Sequence, residues 1–203
     1  IPHLHVRTDE LEDPGYAANP SNRCYFCKSE LWTKLVAVAA ERGYAVVLDG
    51  SNADDAGDHR PGMQAARELG VRSPLLEAGL TKAEVRELSR RLGLPTWEQP
   101  AAPCLASRLP YGLSVTPERL RQVEEAEEVV RGYGFREFRG RHHGDAARIE
   151  VVPTEIARLL DQAAELDARL RRLGFRRVLV DVEGYRRGAL NEGLPLVQFG
   201  TSS

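Results

Sequence analysis

Apolar positions in the first half of the chain predict a helix followed by a strand. They recur every three or four residues up to Gly43, and glycine commonly ends a helix. The continuous apolar run 45–48 comes next and is typical of a parallel strand buried on both faces. A further helix is predicted over 81–92, because Thr81 and Glu84 have the spacing of a capping box. The periodic positions of the first helix are Leu31, Leu35, Val38 and Ala39.

Shorter segments complete the first half. The patterns of 4–7 and 72–76 predict two short strands, and 63–69 is predicted to be a helix. Helices that alternate with strands indicate the α/β class with a parallel sheet. The stretch that follows is rich in proline and lacks apolar periodicity. We therefore place a domain boundary after residue 95 and an active-site loop at 100–112.

The second half, 96–203, predicts a small α+β domain. Its first helix is highly charged, and the two segments after it alternate between apolar and polar residues as a hairpin does. Such an order favours helices packed on one antiparallel sheet. The predicted elements are a helix over 116–130, strands over 135–141 and 147–152, a helix over 154–173 and a strand over 177–182.

The amino-acid composition indicates which kind of molecule the protein binds. The chain has 203 residues, of which 42% are hydrophobic and 29% charged, as in ordinary globular proteins. A net charge of −2 and a pI near 6.3 provide no basic field for nonspecific nucleic-acid binding, so a small-molecule substrate is favoured. The chain lacks an apolar run near the ~20 residues of a membrane span and lacks a secretion signal, which predicts a cytoplasmic protein.

Three cysteines carry the most informative chemistry: Cys24 and Cys27 in Cys-Tyr-Phe-Cys, and Cys104 in Pro-Cys-Leu-Ala-Ser-Arg. An odd number argues against a disulfide framework, and a closed zinc site needs four ligands. Three thiolates suit an iron–sulfur cluster that keeps one iron open. A redox dithiol, half-buried apolar thiols, or a zinc site completed by His142 or His143 are the alternatives.

A polar loop directly follows the run 45–48. Asp49, Gly50, Asn52 and Asp55 could hold Mg²⁺ and a nucleotide at the carboxyl end of the predicted strand. The same residue types are also ordinary turn formers. Three cations could add contacts to polyphosphate, or could be surface charges: Arg60, Lys82 and Arg86.

The predicted hairpin carries a second polar cluster. Arg139 and Arg141 share a strand face and could grip a phosphate or carboxylate, unless that face is simply exposed. Arg148 and Glu150 belong to the same cluster. One helix earlier, Glu127 could be a general base, a metal ligand, or one of several solvated acids in its run.

Six short stretches in combination resemble the LarE family, and they span nearly the whole chain. LarE proteins are ATP-dependent sulfur transferases of the PP-loop pyrophosphatase superfamily. They convert the carboxylates of a pyridinium biscarboxylate mononucleotide into thiocarboxylates during synthesis of the nickel-pincer nucleotide cofactor. The stretches are 22–28, 49–52 with 58–62, 103–112, 147–150 and 184–186.

The resemblance implies a fold and cofactors. It implies a partial PP-loop (adenine nucleotide alpha hydrolase-like) parallel-sheet domain over 1–95, followed by the α+β domain over 96–203. It also implies ATP, Mg²⁺ and a homo-oligomer, with a hexamer as the candidate assembly. One variant of the family sacrifices a cysteine sulfur and another uses a three-cysteine [4Fe–4S] cluster. Because Cys24 and Cys27 accompany Cys104, we predict the cluster variant.

The resemblance further implies residue roles. Cys104, Arg108 and Glu127 are predicted to be catalytic, and Glu150 is predicted to be a metal ligand beside the three cysteines. The nucleotide is assigned to Asp49, Gly50, Asn52, Asp55, Arg60 and Lys82. The anionic groups of the substrate are assigned to Arg139, Arg141 and Arg148, and also to Arg108.

One family motif is missing. The Ser-Gly-Gly-x-Asp-Ser phosphate loop does not occur, and the chain opens at Ile1 without an initiator Met. We therefore expect the chain to be part of a longer enzyme. Three rival hypotheses remain at this point: a tRNA-thiolating PP-loop enzyme, a PP-loop amidating enzyme, and a non-catalytic zinc-binding module.

Overall fold

The computed structural model describes residues 3–56, 61–99, 103–186 and 196–198. Contacts divide the chain into two compact units, Ile1–Ala102 and Pro103–Ser203. The sequence placed the boundary after residue 95, whereas the contacts place it after residue 102. Among the described residues, no helix is both long and apolar enough to cross a membrane.

The first unit is mainly helical in its described part. Its longest helix buries Trp32 against Ala65, Ala66 and Val71. The helix expected over 81–92 is confirmed, with the Thr81–Glu84 capping box in place. The helices are α1 (Pro14–Ala17), α2 (Arg23–Glu41), α3 (Pro61–Glu68), α4 (Pro74–Glu77) and α5 (Lys82–Arg91), with short 3-10 turns at Glu10–Glu12 and Ala53–Asp55.

The strands predicted for this unit are largely wrong. Of 45–48, only Leu48 pairs, in a single parallel bridge with Arg72, and its side chain is 55% exposed. Residues 4–7 are irregular, and after Arg72 the chain turns into α4. Pro74 favours that outcome, because proline at the first helical position has a suitable φ and has no N–H to lose. The described chain combines helices with strands, as predicted, but a parallel sheet is not formed by the described residues of this unit.

The second unit is built on a four-stranded sheet in the order β1-β2-β3-β4. The predicted hairpin is confirmed, since β1 and β2 are antiparallel. The expectation of a wholly antiparallel sheet is wrong, because β3 runs parallel to β2 after a helical crossover. The elements are α6 (Pro117–Gly132), β1 (Phe138–His143), β2 (Ala146–Val151), α7 (Ile156–Asp161), α8 (Ala163–Arg172), β3 (Arg177–Asp181) and β4 (Leu196–Gln198), with 3-10 turns at Leu105–Arg108 and Pro153–Glu155.

The two faces of this sheet differ in chemistry. Strand β2 places Ala147, Ile149 and Val151 in the apolar core with residues of α6 and α8. Because side chains alternate along a strand, Arg148 and Glu150 lie on the opposite face. Both are nevertheless buried, at 4% and 0% exposure. The second unit therefore carries a buried, charged face that most small sheets would leave to solvent.

Candidate functional sites

A cavity of about 570 Å³ lies in the first unit, at the N-terminal part of α2. Its volume falls in the range of small-molecule sites. One face of α2 contributes three side chains at four-residue spacing, and the loop after Leu48 contributes two carboxylates. The lining residues are Cys24, Lys28, Trp32, Asp49, Gly50, Ser51, Asp55, Pro61, Gly62 and Met63.

The loop on this cavity is ordered by its own hydrogen bonds. Both carboxylate oxygens of Asp49 accept from Ser51, one from the backbone N–H and one from the hydroxyl, each at 3.0 Å. Asn52 and Asp55 form a capping box on the 3-10 turn Ala53–Asp55. These polar residues therefore form turns, which was one of the two roles considered from the sequence. The same turns place Asp49 and Asp55 at the cavity.

The predicted nucleotide residues divide into three groups. Asp49, Gly50 and Asp55 line the cavity, whereas Asn52 and Lys82 are not among its lining residues. The backbone N–H of Lys82 donates to Asp54 at 3.0 Å, which ties the start of α5 to the same loop. Arg60 lies outside the described residues. Its predicted role, like that of the whole set, stays a prediction.

None of the three cysteines is in a disulfide bond. Cys24 and Cys27 lie one turn apart in the first part of α2, as predicted; Cys24 is exposed and Cys27 half-buried. Cys104 is exposed and precedes the 3-10 turn Leu105–Arg108 in the second unit. Accessible thiols suit thiolate ligation of a cluster. Within the described parts of each unit, no three His, Cys, Asp or Glu side chains are grouped closely enough to hold a metal ion.

Arg108 and Glu127 form a buried ion pair in the second unit. Arg108 donates through Nε to Oε1 of Glu127 at 2.8 Å and through Nη2 to Oε2 at 3.2 Å. Oε1 also accepts from the backbone N–H of Gly140, at 3.2 Å. Glu127 is only 7% exposed, so it is not one of the solvated acids of its run. This pair connects α6, β1 and the loop that carries Cys104.

A second charged network occupies the polar face of the sheet. Glu150 Oε1 accepts from Nε of Arg141 and from Nη2 of Arg148. Nε of Arg148 lies 3.9 Å from Oδ2 of Asp181, which is fully buried. Arg141 is 7% exposed, so the prediction that this face might be simply solvated is wrong for that residue. Among the described residues, Glu150 Oε2 has no hydrogen-bond partner.

Arg139 differs from the other two arginines. It is half-buried, and its guanidinium lies 4.7 Å from the centroid of the Tyr185 ring and donates to the Tyr185 hydroxyl at 3.2 Å. Of the three arginines assigned to the substrate, it is therefore the most accessible. The contact between Arg139 and Tyr185 places the Gly-Tyr-Arg stretch 184–186 next to β1, the strand that carries Arg139.

The two histidines of β1, His142 and His143, lie in different surroundings. His142 is buried and its Nε2 lies 3.0 Å from Oε1 of Gln122, which leaves it poorly placed as a zinc ligand. Burial, together with the charges of Arg148 and Arg141, lowers the pKa of His143 to about 4. His143 is therefore a neutral group at physiological pH.

Several site residues were not identified from the sequence. Lys28 and Trp32 line the cavity, and their positions four and eight residues after Cys24 were an available signal. The Lys28 Nζ lies 5.2 Å from the centroid of the Trp32 ring. Asp181 lies within a predicted strand, but nothing local indicated that its carboxylate would be buried.

Comparison with known proteins places the chain in a family. It is 47% identical over 196 residues to the uncharacterized protein slr1717 of Synechocystis sp., covering 96% of this chain and 73% of that protein. It is 29% identical over 168 residues to the uncharacterized protein MJ0830 of Methanocaldococcus jannaschii, covering 83% of this chain and 66% of that protein. No protein-family profile matches the chain.

A relative with a named activity is also found. The chain is 38% identical over 193 residues to the pyridinium-3,5-bisthiocarboxylic acid mononucleotide synthase of Lactiplantibacillus plantarum. The match covers 95% of this chain and 70% of that enzyme, so it includes both structural units. The chain therefore belongs to the family of this synthase, the LarE family that the sequence motifs indicated.

Proposed function

We propose that this protein is an ATP-dependent sulfur transferase of the PP-loop superfamily. Its substrate is a pyridinium biscarboxylate mononucleotide, whose carboxylates become thiocarboxylates on the way to the nickel-pincer nucleotide cofactor. The observation that carries the proposal is the 38% identity, over 95% of the chain, to the synthase named for the bisthiocarboxylic acid product. The protein acts as a cytoplasmic homo-oligomer, with a hexamer as the candidate assembly.

The cavity of the first unit is the proposed site for ATP and Mg²⁺. Asp49 and Asp55 offer carboxylates of the kind that hold Mg²⁺ next to phosphates, and Gly50 leaves room for close approach. Asn52 orders the loop through its capping box. Lys82 and Arg60 are the proposed cationic contacts to the phosphates.

The reaction has two steps. A substrate carboxylate oxygen attacks the α-phosphorus of ATP, and pyrophosphate leaves, so that an acyl adenylate forms. Sulfide sulfur then forms a bond to the acyl carbon, and the bond from that carbon to the AMP oxygen breaks. AMP carries away the carboxylate oxygen, a proton is released, and no electrons are transferred. Adenylation is required because a free carboxylate has no good leaving group.

The three cysteines are the proposed ligands of a [4Fe–4S] cluster. Their thiols, exposed at Cys24 and Cys104 and half-buried at Cys27, fit that role. Glu150 is not proposed as a cluster ligand, because it is fully buried and its Oε1 accepts from Arg141 and Arg148. When bound, the cluster would supply inorganic sulfide at its open iron. The chain's own contribution at this point is to hold Cys104 on an ordered loop whose backbone carbonyls are hydrogen-bonded.

The anionic groups of the substrate are assigned to the charged face of the second unit. Arg139 is the proposed first contact, because it is the accessible member of the three arginines. Arg141 and Arg148 donate hydrogen bonds to Glu150. Their proposed role is to add positive charge next to Arg139. Such fixed guanidinium groups also stabilise an oxyanion that develops at the acyl carbon.

Product analysis tests the proposal. Anaerobic protein is incubated with ATP, Mg²⁺, sulfide and the biscarboxylate mononucleotide, and the nucleotide products are identified by mass spectrometry. We expect AMP, and a product in which sulfur replaces carboxylate oxygen. Asp49→Asn should reduce AMP formation, whereas the control Glu41→Gln, at the exposed C-terminal end of α2 and outside the cavity lining, should leave most of it. AMP formation without any sulfur-containing product would contradict the proposal.

Metal analysis tests the cluster separately. Iron and acid-labile sulfide are quantified in anaerobically purified protein and in three variants, Cys24→Ser, Cys27→Ser and Cys104→Ser. Because each thiolate is a proposed ligand, we expect every substitution to lower both contents. Colourless protein that contains zinc would contradict the cluster and would favour the zinc-binding module.

A further inference from the structure

All three nitrogens of the Arg108 guanidinium group donate hydrogen bonds to other groups of the protein. Nε and Nη2 donate to the two oxygens of Glu127, at 2.8 and 3.2 Å. Nη1 donates to the backbone carbonyls of Pro103 and Cys104, at 2.8 and 3.2 Å, and to the hydroxyl of Ser107 at 3.0 Å. The residue is 5% exposed. Each nitrogen therefore has a partner, and none is free to grip a ligand anion.

Glu127 is the fixed end of this arrangement. It projects from α6 and accepts from the N–H of Gly140 on β1 as well as from Arg108. A Cβ atom at position 140 would lie 3.3 Å from Cγ of Glu127, a tight contact that the glycine avoids. The strand therefore provides both a donor and the space that the carboxylate needs.

A second guanidinium holds the other end of the same loop. We call residues 103–109 the cysteine loop. Arg141 Nη1 donates to the carbonyl of Ser107 at 3.3 Å, and Arg141 is itself bonded to Glu150. Within the loop, Ala106 and Leu109 are buried at 2% and 0% exposure, whereas Cys104 is exposed. The loop is therefore anchored on its inner side and presents its thiol outward.

We propose that Arg108 and Glu127 are positioning residues, which hold the cysteine loop so that Cys104 keeps one orientation, and that Arg108 does not bind the substrate. The inference rests on the proposed function of Cys104 in sulfur transfer. If the guanidinium turned to a ligand, the Glu127 carboxylate, which is buried, would lose both of its hydrogen bonds from Arg108 and its charge partner. Holding the cysteine loop in place instead fixes the geometry of the reacting group.

The variant Arg108→Lys tests the inference in the full chain. An ammonium group reaches Glu127 but cannot reproduce the fork to Pro103 and Cys104. Hydrogen exchange should accelerate at the amides of Ser107 and Leu109, which donate to carbonyls within the loop. Misplacement of the thiol should lower kcat by roughly 10²-fold with KM unchanged. Leu170→Ala, in the core on α8, is the control that lowers stability without this loop-specific exchange.

Two results would overturn the inference. One is unchanged exchange across the cysteine loop in Arg108→Lys, and the other is a raised KM with kcat unchanged, as expected if Arg108 bound the substrate. If Arg108→Lys does not fold, Glu127→Gln decides the question, because its amide nitrogen cannot accept from Nη2 and should loosen the same loop. If the wild type makes no thiocarboxylate, the proposed function fails, whereas the exchange measurement still decides whether these residues hold the loop.

Discussion

Glu127 shows at the scale of one residue why burial matters more than sequence context. It stands in an acidic run that resembles a solvated helix face, yet it lies where α6 contacts the sheet and pairs with Arg108. The sequence could nominate Glu127 as a functional residue but could not show its partner, because Arg108 lies nineteen positions away. Long-range contacts of this kind have no local signal.

Glu127→Ala should destabilise the second unit by about 3–5 kcal/mol, because Arg108 would remain buried with its charge uncompensated. Glu165 provides the matched control. It forms an exposed i,i+4 pair with Arg169, and its removal should cost about 0–1 kcal/mol. Chemical denaturation of both variants and the wild type measures these values. Equal effects of the two substitutions would show that Arg108 and Glu127 do not depend on each other.

His143 supplies a pH prediction. Its ordinary pKa is near 6.5, and the folded protein lowers it to about 4, mainly through burial. Between these values the unfolded chain binds a proton that the folded chain does not, so stability falls as the pH drops from 6.5 towards 4. The charged and titratable groups that act on His143 are Arg148, Arg141, Glu150 and His142.

His143→Gln removes this titration and should flatten the loss of stability over the same pH range. The free energy of unfolding, measured as a function of pH for the variant and the wild type, checks the difference. An NMR titration of the wild type gives the pKa directly. A His143 resonance that titrates near its ordinary value of 6.5 would contradict the account.

At the scale of the element, local signals determined what could be predicted. The helix α5 was predicted to within a residue or so at each end, because Thr81 and Glu84 cap it through neighbouring backbone groups. The strand at 45–48 was not, because an apolar run forms a strand only when other strands pair with it. The helix expected over 154–173 is interrupted at Gln162, between α7 and α8.

The turn after β3 gives the Gly-Tyr-Arg stretch a structural role. Gly184 has a φ of 77°, and a Cβ there would lie 2.6 Å from the backbone oxygen of Val151. The next residue, Tyr185, donates its N–H to that same oxygen at 2.7 Å. The glycine therefore lets the chain return to β2 and place Tyr185 beside Arg139.

Gly184→Ala should be strongly destabilising, because it adds a backbone clash to the strain of a left-handed conformation. We expect a cost of more than about 2 kcal/mol in the free energy of unfolding. Gly144→Ala is the control: its φ is 68° and a Cβ would meet nothing within 4 Å, so only the strain of roughly 1 kcal/mol remains. Thermal or chemical denaturation compares the two. An effect no larger at 184 than at 144 would contradict the role given to this turn.

At the scale of the whole molecule, each of the two units carries a candidate functional site, and the family match covers both units. The first unit offers a cavity with two carboxylates, and the second offers a buried charged face with an ordered cysteine loop. The cysteine spacing and the polar loop could be identified from the sequence, since each is short and continuous. The buried pairs Arg108–Glu127 and Arg148–Asp181 could not, because each joins residues that are far apart in the chain.

The number of sulfur atoms transferred per chain tests the central claim most directly. Protein is incubated anaerobically with excess ATP, Mg²⁺, sulfide and the biscarboxylate mononucleotide, and thiocarboxylates are counted by mass spectrometry along with the mass of the protein. A cluster that is resupplied with sulfide predicts several thiocarboxylates per chain and an unchanged peptide around Cys104. Product that stops at one sulfur per chain, with Cys104 converted to a residue lacking its sulfur, would contradict the account.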